Sequence, residues 1–205
     1  MKTFVSAVAV ATVAVAAVVG SAAADLFPEV KMPAQAFLDM YCDGTTIQSE
    51  TETLEYTSGT FDGNCTIALG ERGEFKTGKY GTVTISGMLT VTTASSPRES
   101  EVQVEEASTL TAASMDLGVR ELQVKKGATL STTDGDLMVS ALRKVQVEEM
   151  ATMSAESGSI SLVAGRQLEL KMMSTLTASG SITASAPQCV VEVPSTVNGS
   201  ETQVC

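Results

Sequence analysis

An alternating pattern of apolar and polar residues occurs four times between Val102 and Thr177. The four segments, VQVEEASTLTA, LQVKKGATLST, VQVEEMATMSA and LELKMMSTLTA, begin at Val102, Leu122, Val145 and Leu168. Their starts lie 20, 23 and 23 residues apart, which is a period typical of stacked repeats. Because alternation with a period of two is the pattern of a half-buried strand, each segment is predicted to begin with one.

Each repeat has room for two more short strands. A Thr-x-Thr/Ser pair follows the first strand, and a glycine corner then precedes a third apolar run, as after Gly135 and Gly158. Three such strands, at about 3.3 Å per residue, consume roughly 20 residues with their corners and return the chain to its starting side. The sequence therefore predicts an all-β fold, a parallel β-solenoid of about five to seven three-sided coils.

Two stretches of this region resemble a known family. GSISLVAGRQLEL, from Gly158 to Leu170, and TLTASGSITAS, from Thr175 to Ser185, are similar to the coil units of filamentous-haemagglutinin-type adhesins. The resemblance is compositional and covers about Val102 to Ser185. It implies a secreted right-handed β-helix that acts in attachment. The large size and two-partner secretion domain of that family are absent, so the resemblance supports fold and surface location more than adhesion.

The repeats are flanked by less regular segments. We expect the solenoid to span residues 45–186, with clear repeats over 102–186, and VTISGMLTVTT from Val83 aligns with the repeats if one residue is deleted. Because end coils expose strand edges, residues 25–44, where Pro33 can begin a short helix, are predicted to form an N-terminal cap. Residues 187–205 are predicted to form a C-terminal cap.

The first 24 residues have the features of a secretory signal peptide. Lys2 precedes an apolar run from Phe4 to Val19, and Ala22-Ala-Ala24 provides an Ala-x-Ala cleavage site. The alternative, a membrane anchor, needs about 20 apolar residues, which is more than this run has. The mature chain is expected to be extracellular, without a membrane span.

The mature chain is strongly acidic. It keeps 12 basic residues against 24 acidic ones, a net charge of −12. Such a surface repels phosphate backbones, so no nucleic-acid partner is expected.

The four cysteines, Cys42, Cys65, Cys189 and Cys205, flank the repeats. An even number in a secreted chain predicts disulfides, for which three pairings exist. Because a solenoid separates its ends, the favoured pairing is Cys42–Cys65 with Cys189–Cys205. Zinc binding is disfavoured, since the chain has no histidine and no Cys-x-x-Cys.

Asn64-Cys-Thr66 and Asn198-Gly-Ser200 match the acceptor pattern for N-glycosylation. In a eukaryotic host, both are candidate glycan sites.

The Thr-x-Thr/Ser pairs predict two outward columns of hydroxyl groups, spaced about 4.8 Å between coils and about 6.7 Å along a strand. Ice-binding β-solenoids present a similar grid, so ice is one candidate ligand. The structural alternative is that threonine simply suits an exposed strand face. The predicted binding-face residues are Thr109, Thr111, Thr129, Ser131, Thr152, Ser154, Thr175 and Thr177.

Charged residues of alternating sign also recur with the repeat. Glu105, Lys125, Glu148 and Lys171 occupy one position of successive coils, on the first face. Opposite charges at neighbouring heights relieve the repulsion of a like-charge column, so a structural role is favoured over polyelectrolyte binding.

Enzymes of the β-helix type, such as polysaccharide lyases and hydrolases, use clustered carboxylates. The closest approach to such a set is Asp134-Gly-Asp136, with Asp116 one coil away, and a turn explains Asp-Gly-Asp equally well. No catalytic, cofactor-binding or metal-binding residue is therefore predicted.

Methionines form a second possible cluster. Met138, Met150, Met153, Met172 and Met173 are predicted to fill gaps in the core rather than to bind a soft metal.

The function predicted from the sequence is that of a secreted, non-catalytic β-solenoid that presents flat repetitive faces to a glycan, an extracellular matrix or a cell-surface protein. The alternatives are an ice-binding protein and a polysaccharide-degrading enzyme.

Overall fold

The described part of the chain is a parallel β-solenoid, as predicted. The computed structural model describes residues 46–49, 53–93 and 98–205. Within these ranges all regular secondary structure is β-strand. No helix there is long and apolar enough to cross a membrane. The signal peptide predicted over 1–24 and the cap predicted over 25–44 lie outside the described residues.

The strands are short, except where one continues around a corner. In chain order they are β1 (Thr46–Ser49), β2 (Thr53–Tyr56), β3 (Gly59–Phe61), β4 (Cys65–Leu69), β5 (Glu74–Thr77), β6 (Thr82–Thr93), β7 (Glu101–Val104), β8 (Thr109–Val124), β9 (Thr129–Thr132), β10 (Leu137–Val147), β11 (Thr152–Ala155), β12 (Ile160–Ala164), β13 (Gln167–Leu170), β14 (Thr175–Ala178), β15 (Ile182–Ser185), β16 (Gln188–Val191), β17 (Thr196–Asn198) and β18 (Thr202–Val204).

These strands stack in parallel into three faces. Face one contains β2, β5, β7, β13 and β16 with the last residues of β8 and β10. Face two contains β3, β9, β11, β14 and β17 with the first residues of β6 and β8. Face three contains β1, β4, β12, β15 and β18 with the remaining parts of β6, β8 and β10. Six successive pairings on face one lead from β2 to β16, in agreement with the predicted number of coils.

The predicted register is confirmed on face one. Val102 pairs with Leu122, Leu122 with Val145, and Val145 with Leu168. All four side chains are fully buried. Alternation along each strand therefore sends every second residue into one continuous aliphatic core, and each coil covers the apolar surface of its neighbours.

The earlier coils keep the register but depart from the predicted alignment. Val83 pairs with Leu110 on face two, whereas the alignment of VTISGMLTVTT with the repeats placed it on face one. The reason is the length of this coil, because the paired residues Thr82 and Thr109 are 27 positions apart, compared with 20 to 23 for the pairs of the following coils. The strand that begins at Thr82 therefore supplies face two first and face three afterwards.

The C-terminal segment is itself the last coil. β16, β17 and β18 pair in register with β13, β14 and β15. The Cys189–Cys205 disulfide, one of the predicted pairs, links the start of this coil to the residue after its end. Cys65 is also disulfide-bonded, while Cys42 lies outside the described residues.

Corner one, the turn between faces one and two, has the same conformation in successive coils. Its third residue has a positive φ in five coils, and its fourth residue is small and buried in all five of them. In the coil of Glu105 the third residue is Ala107, with a φ of 54°, and the N–H of Ser108 donates to the Glu105 carbonyl at 3.0 Å. A β-turn with positive φ at its third residue normally favours glycine. The positive-φ residues of corner one are Tyr80, Ala107, Gly127, Met150 and Met173.

Corner two, between faces two and three, is formed by stacked glycines. A Cβ built on Gly158 would lie 2.4 Å from the carbonyl oxygen of Gly135, so the two backbones touch where a side chain would have to stand. Gly180 makes a similar approach to Gly158, its Cβ position lying 3.0 Å from the Gly158 carbonyl oxygen. Glycine at this corner is therefore a packing requirement between coils.

We expect Gly158→Ala to lower the free energy of unfolding by about 1–3 kcal/mol, because the added methyl must displace the backbone of the neighbouring coil. Gly118→Ala is the matched control, since the nearest atom to its Cβ position is the Val91 carbonyl oxygen at 3.6 Å. Urea denaturation measures both variants. Equal losses of stability would contradict the proposed packing of corner two.

Ala107→Gly should raise the free energy of unfolding by about 0.5–1 kcal/mol. Relief of a left-handed conformation is worth about 1–2 kcal/mol, and this exceeds the entropic cost of glycine, about 0.5–1 kcal/mol. Ala113→Gly, within β8, lacks that relief and should be destabilising. The same denaturation experiment compares them, and a loss of stability in Ala107→Gly is the contrary result.

Candidate functional site

Face two presents two columns of polar side chains along the stack, and every position except Asn198 carries a hydroxyl group. The pairing of Thr82 with Thr109, and of Thr175 with Thr196, extends the first column beyond the predicted repeats in both directions. The first column is Thr82, Thr109, Thr129, Thr152, Thr175 and Thr196. The second column is Thr60, Thr84, Thr111, Ser131, Ser154, Thr177 and Asn198.

The structure brings together all eight residues predicted for this grid. Thr109 pairs with Thr129, and Thr152 with both Thr129 and Thr175, so the hydroxyl groups repeat at the spacing between coils, about 4.8 Å. The Thr111 and Ser131 hydroxyl groups are hydrogen-bonded to each other at 2.8 Å. Most of these side chains are half-buried among their neighbours, which makes the surface flat.

Sequence analysis missed the residues that complete the two columns. Thr60, Thr82 and Thr84 belong to coils whose spacing departs from the repeat, and Thr196 and Asn198 lie in the predicted C-terminal cap. A usable signal was nevertheless present, because Thr82-Val-Thr84 is itself a Thr-x-Thr triplet. Met88, from the same strand, pairs with Ser114 on face three and lies outside the grid.

The two columns of face two carry no ionisable side chain at any of their thirteen positions. Face one differs, since Lys144 pairs there with Glu169 at 2.9 Å. Charged residues also occupy corner one. Face two is therefore a neutral strip between charged borders.

Both predicted glycosylation sites are exposed. Asn198 is the last member of the second hydroxyl column. Asn64 lies at corner two, where its Oδ1 accepts a hydrogen bond from the Met88 N–H at 2.8 Å. That bond leaves the amide nitrogen of Asn64, the atom to which a glycan is attached, free of this contact.

The charge alternation predicted for successive coils lies on corner one, just beyond the strands of face one. Lys125 Nζ lies 2.7 Å from Glu105 Oε1, and Lys126 Nζ lies 3.0 Å from Glu149 Oε2. These pairs link neighbouring coils. Their geometry supports the structural role, and partial exposure limits the contribution of each to well under about 1 kcal/mol.

A column of carboxylates on face one was not anticipated. Glu101 pairs with both Glu74 and Glu121 in the strand register, and the three line a depression of about 350 Å³ together with Arg98, Arg120 and Arg143. The signal in the sequence is an acidic residue directly before the apolar strand in three consecutive coils.

The outer two carboxylates of this column have cationic partners. Glu74 lies 2.7 Å from Lys76 Nζ, and Glu121 Oε1 accepts a hydrogen bond from Arg143 at 2.9 Å. Although partial burial opposes it, hydrogen bonds from Lys76 and Thr53 hold the pKa of Glu74 below its ordinary value. The outer positions of the column are thus stabilised as ion pairs.

Glu101, the middle residue of this column, is the one whose ionisation is disfavoured. Burial, and then the negative charges of Glu121 and Glu74, raise the pKa of Glu101, although a hydrogen bond from Gln103 opposes the shift. Its Oε1 is buried, and no hydrogen-bond partner for that atom occurs in the described ranges. The ionised form of Glu101 is therefore destabilised in the folded chain.

The predicted carboxylate set for an enzyme does not form a shared site in the structure. Asp136 Oδ1 accepts the N–H of Ser159 at 2.8 Å, and Asp134 Oδ2 accepts the Thr133 hydroxyl at 3.0 Å. Asp116 pairs with Met138 on face three. Asp134 thus makes a local turn contact and Asp136 bonds the next coil. Among the described residues, no group of three or more His, Cys, Asp or Glu side chains is placed so that it could hold a metal ion.

The prediction that the methionines fill the core is wrong for four of the five. Met153 is fully buried, but Met138, Met150, Met172 and Met173 have exposed fractions between 42% and 47%. The prediction was wrong because three of these four residues occupy corner one, where the alternation of inward and outward residues stops.

Glu101→Gln should stabilise the protein at neutral pH more than at pH 3.5. Because the folded-state pKa is raised, the folded chain binds more protons than the unfolded chain between the unfolded pKa, about 4.3, and the higher folded value. Stability therefore falls as pH rises through that window, and the variant lacks this loss. The exposed residue Glu156 provides the control, Glu156→Gln.

Thermal or urea denaturation of the parent and both variants, at pH 3.5 and pH 7, measures the effect. A gain for Glu101→Gln that is the same at both pH values would be inconsistent with a destabilised carboxylate.

Comparison with protein-family models finds no matching family. Comparisons with curated proteins and with solved structures find no match either. The function of the chain is therefore inferred from the chemistry of its own faces and corners.

Proposed function

We propose that the chain is a secreted, non-catalytic binding protein that uses face two to attach to a neutral, repetitive surface such as an extracellular polysaccharide. The observation that carries the proposal is the pair of hydroxyl columns, which continue without an ionisable residue through every coil from Thr82 to Asn198. The rest of the chain supplies a rigid backing for this strip.

The chemistry of face two favours a neutral ligand. Each hydroxyl group both donates and accepts hydrogen bonds, and each threonine adds a methyl group, so the strip matches a surface that offers alternating hydroxyl groups and C–H groups. A polysaccharide has that composition. Many weak contacts at a fixed spacing give appreciable affinity only if the ligand repeats as well, since contacts on one rigid face add as a multivalent set.

Three features support a location outside the cell. Cys189 and Cys205 form a disulfide, and disulfides persist in oxidising compartments. The predicted signal peptide and the exposed acceptor residues Asn64 and Asn198 are consistent with export. The proposed location is the extracellular space or the cell surface.

A second candidate, ice binding, is favoured by one specific observation. The first hydroxyl column consists of threonine alone, from Thr82 to Thr196, so methyl and hydroxyl groups alternate with little variation. The two serines of the grid, Ser131 and Ser154, which lack the methyl group of threonine, are both in the second column. A surface of this kind can order water at the spacing of its own rows.

Thr152→Tyr tests the proposed face. Thr152 lies in the middle of the first column, and a bulky side chain there holds a flat ligand away from its neighbours. We expect co-sedimentation with insoluble cellulose, chitin or β-glucan to weaken by about tenfold, which corresponds to roughly 1.4 kcal/mol. Thr183→Tyr, at an outward and exposed position of face three, is the control and should bind normally.

The dependence of binding on ionic strength and the thermal hysteresis of the protein distinguish polymer binding from ice binding. Binding through the neutral face should change little between low and high ionic strength, whereas binding through the charged corners weakens with salt. Thermal hysteresis that is lost in Thr152→Tyr and kept in Thr183→Tyr, without sedimentation on any polymer, selects ice. Absence of both activities, or equal effects of the two variants, overturns the proposal for face two.

A further inference from the structure

Three methionines, Met150, Met172 and Met173, lie on adjoining coils at the C-terminal end of corner one. Met150 and Met173 occupy the same turn position in consecutive coils, with φ values of 58° and 59°. Met172 directly precedes Met173, and its carbonyl accepts the N–H of Met150 at 3.3 Å. The three residues therefore lie side by side on adjoining coils, about 4.8 Å apart in the stacking direction.

The three thioether side chains are exposed. Their exposed fractions are 47% for Met150, 43% for Met172 and 44% for Met173. The fold does not require methionine here, because Gly127 and Ala107 occupy the same turn position one and two coils earlier than Met150. At Met150 and Met173, exposure of an apolar side chain costs free energy, and so does the left-handed backbone conformation. Strained residues of this kind are common at functional sites.

One carboxylate lies directly beside these methionines. Glu192 Oε2 accepts the N–H of Met172 at 3.1 Å. Glu149, the residue before Met150, lies 3.0 Å from Lys126. Glu149 is thus paired with a cation already, and it is Glu192, together with the overall net charge of −11, that favours the approach of a positive ion.

We propose that Met150, Met172 and Met173 form a binding site for a soft monovalent metal ion of the Cu(I) class. Thioether sulfur is a soft ligand that selects Cu(I), whereas calcium and magnesium require oxygen ligands. Three neutral sulfur ligands, each on its own flexible side chain, suit the low coordination number of such an ion. The site lies on corner one and is independent of the polymer-binding role proposed for face two.

The site is bounded on both sides by the sequence. Gly127 occupies the turn position before Met150, and Pro194 follows Met173 at the equivalent position of the last coil. Neither provides a sulfur atom. One metal ion per chain is therefore the expected stoichiometry.

The experiment uses the full disulfide-bonded protein with ¹³C-labelled methionine methyl groups, titrated with Ag(I) as a redox-inert probe and with Cu(I) in ascorbate under anaerobic conditions. We expect the methyl resonances of Met150, Met172 and Met173 to shift together and to saturate at one ion per chain. Met138 is the internal control, because it is 42% exposed but lies on face three.

Met173→Leu preserves side-chain volume and should weaken binding by about tenfold or more, since even outer groups of metal sites have effects of that size. Met138→Leu should leave the affinity unchanged. Shifts spread equally over all exposed methionines, unchanged affinity in Met173→Leu, or methyl shifts that depend on protein concentration without metal would overturn the site. The last result would identify corner one as a contact between copies of the chain. The titration of the parent protein decides the question even if a variant fails to fold.

Discussion

The parallel hydrogen-bond ladder between coils is the constraint on which the rest of the molecule depends. Each strand inside the stack pairs with the equivalent strand one coil earlier and one coil later, so equivalent residues of successive coils are held in register. Leu122 above Val102, and Val145 above Leu122, satisfy this condition with fully buried side chains. A single coil has no apolar interior of its own, and the stack is therefore the folding unit.

The corners determine how closely the coils can approach. Corner one closes with a left-handed residue, and corner two brings the backbones of Gly135 and Gly158 into contact. Polar side chains at the corners also form hydrogen bonds with backbone groups, as when Asp136 accepts the N–H of Ser159 in the next coil. Because both faces and corners repeat, a column of hydroxyl groups, a column of carboxylates and a row of thioethers can stand on one scaffold at a common spacing.

The pattern of alternation was sufficient to predict the fold, the coil length and the register of Val102, Leu122, Val145 and Leu168. Period two is dictated by the strand itself, and the repeat length is dictated by closure of the coil. The prediction was less accurate where alternation stops. Met150 and Met173 follow strand ends and turn outward, and Val83 was placed on the wrong face because its coil contains more residues than the later ones.

Residues of the candidate sites were predictable to the extent that they repeat. Thr109 and Thr152 were identified from the repeat, whereas Thr60 and Thr196 became part of face two only through the strand pairing. The raised pKa of Glu101 could not be predicted from the sequence, because it arises from burial and from carboxylates that belong to the neighbouring coils.

The disulfide between Cys189 and Cys205 encloses one complete circuit of the solenoid axis. A terminal coil has a neighbour on one side only and would ordinarily be the first to fray. Here that coil is a covalent ring, whose closure over a loop of this length restricts the unfolded chain by about 3 kcal/mol. Peeling by a protease or by mechanical force cannot proceed strand by strand from this end while the ring is intact, and it must remove β16, β17 and β18 as one body.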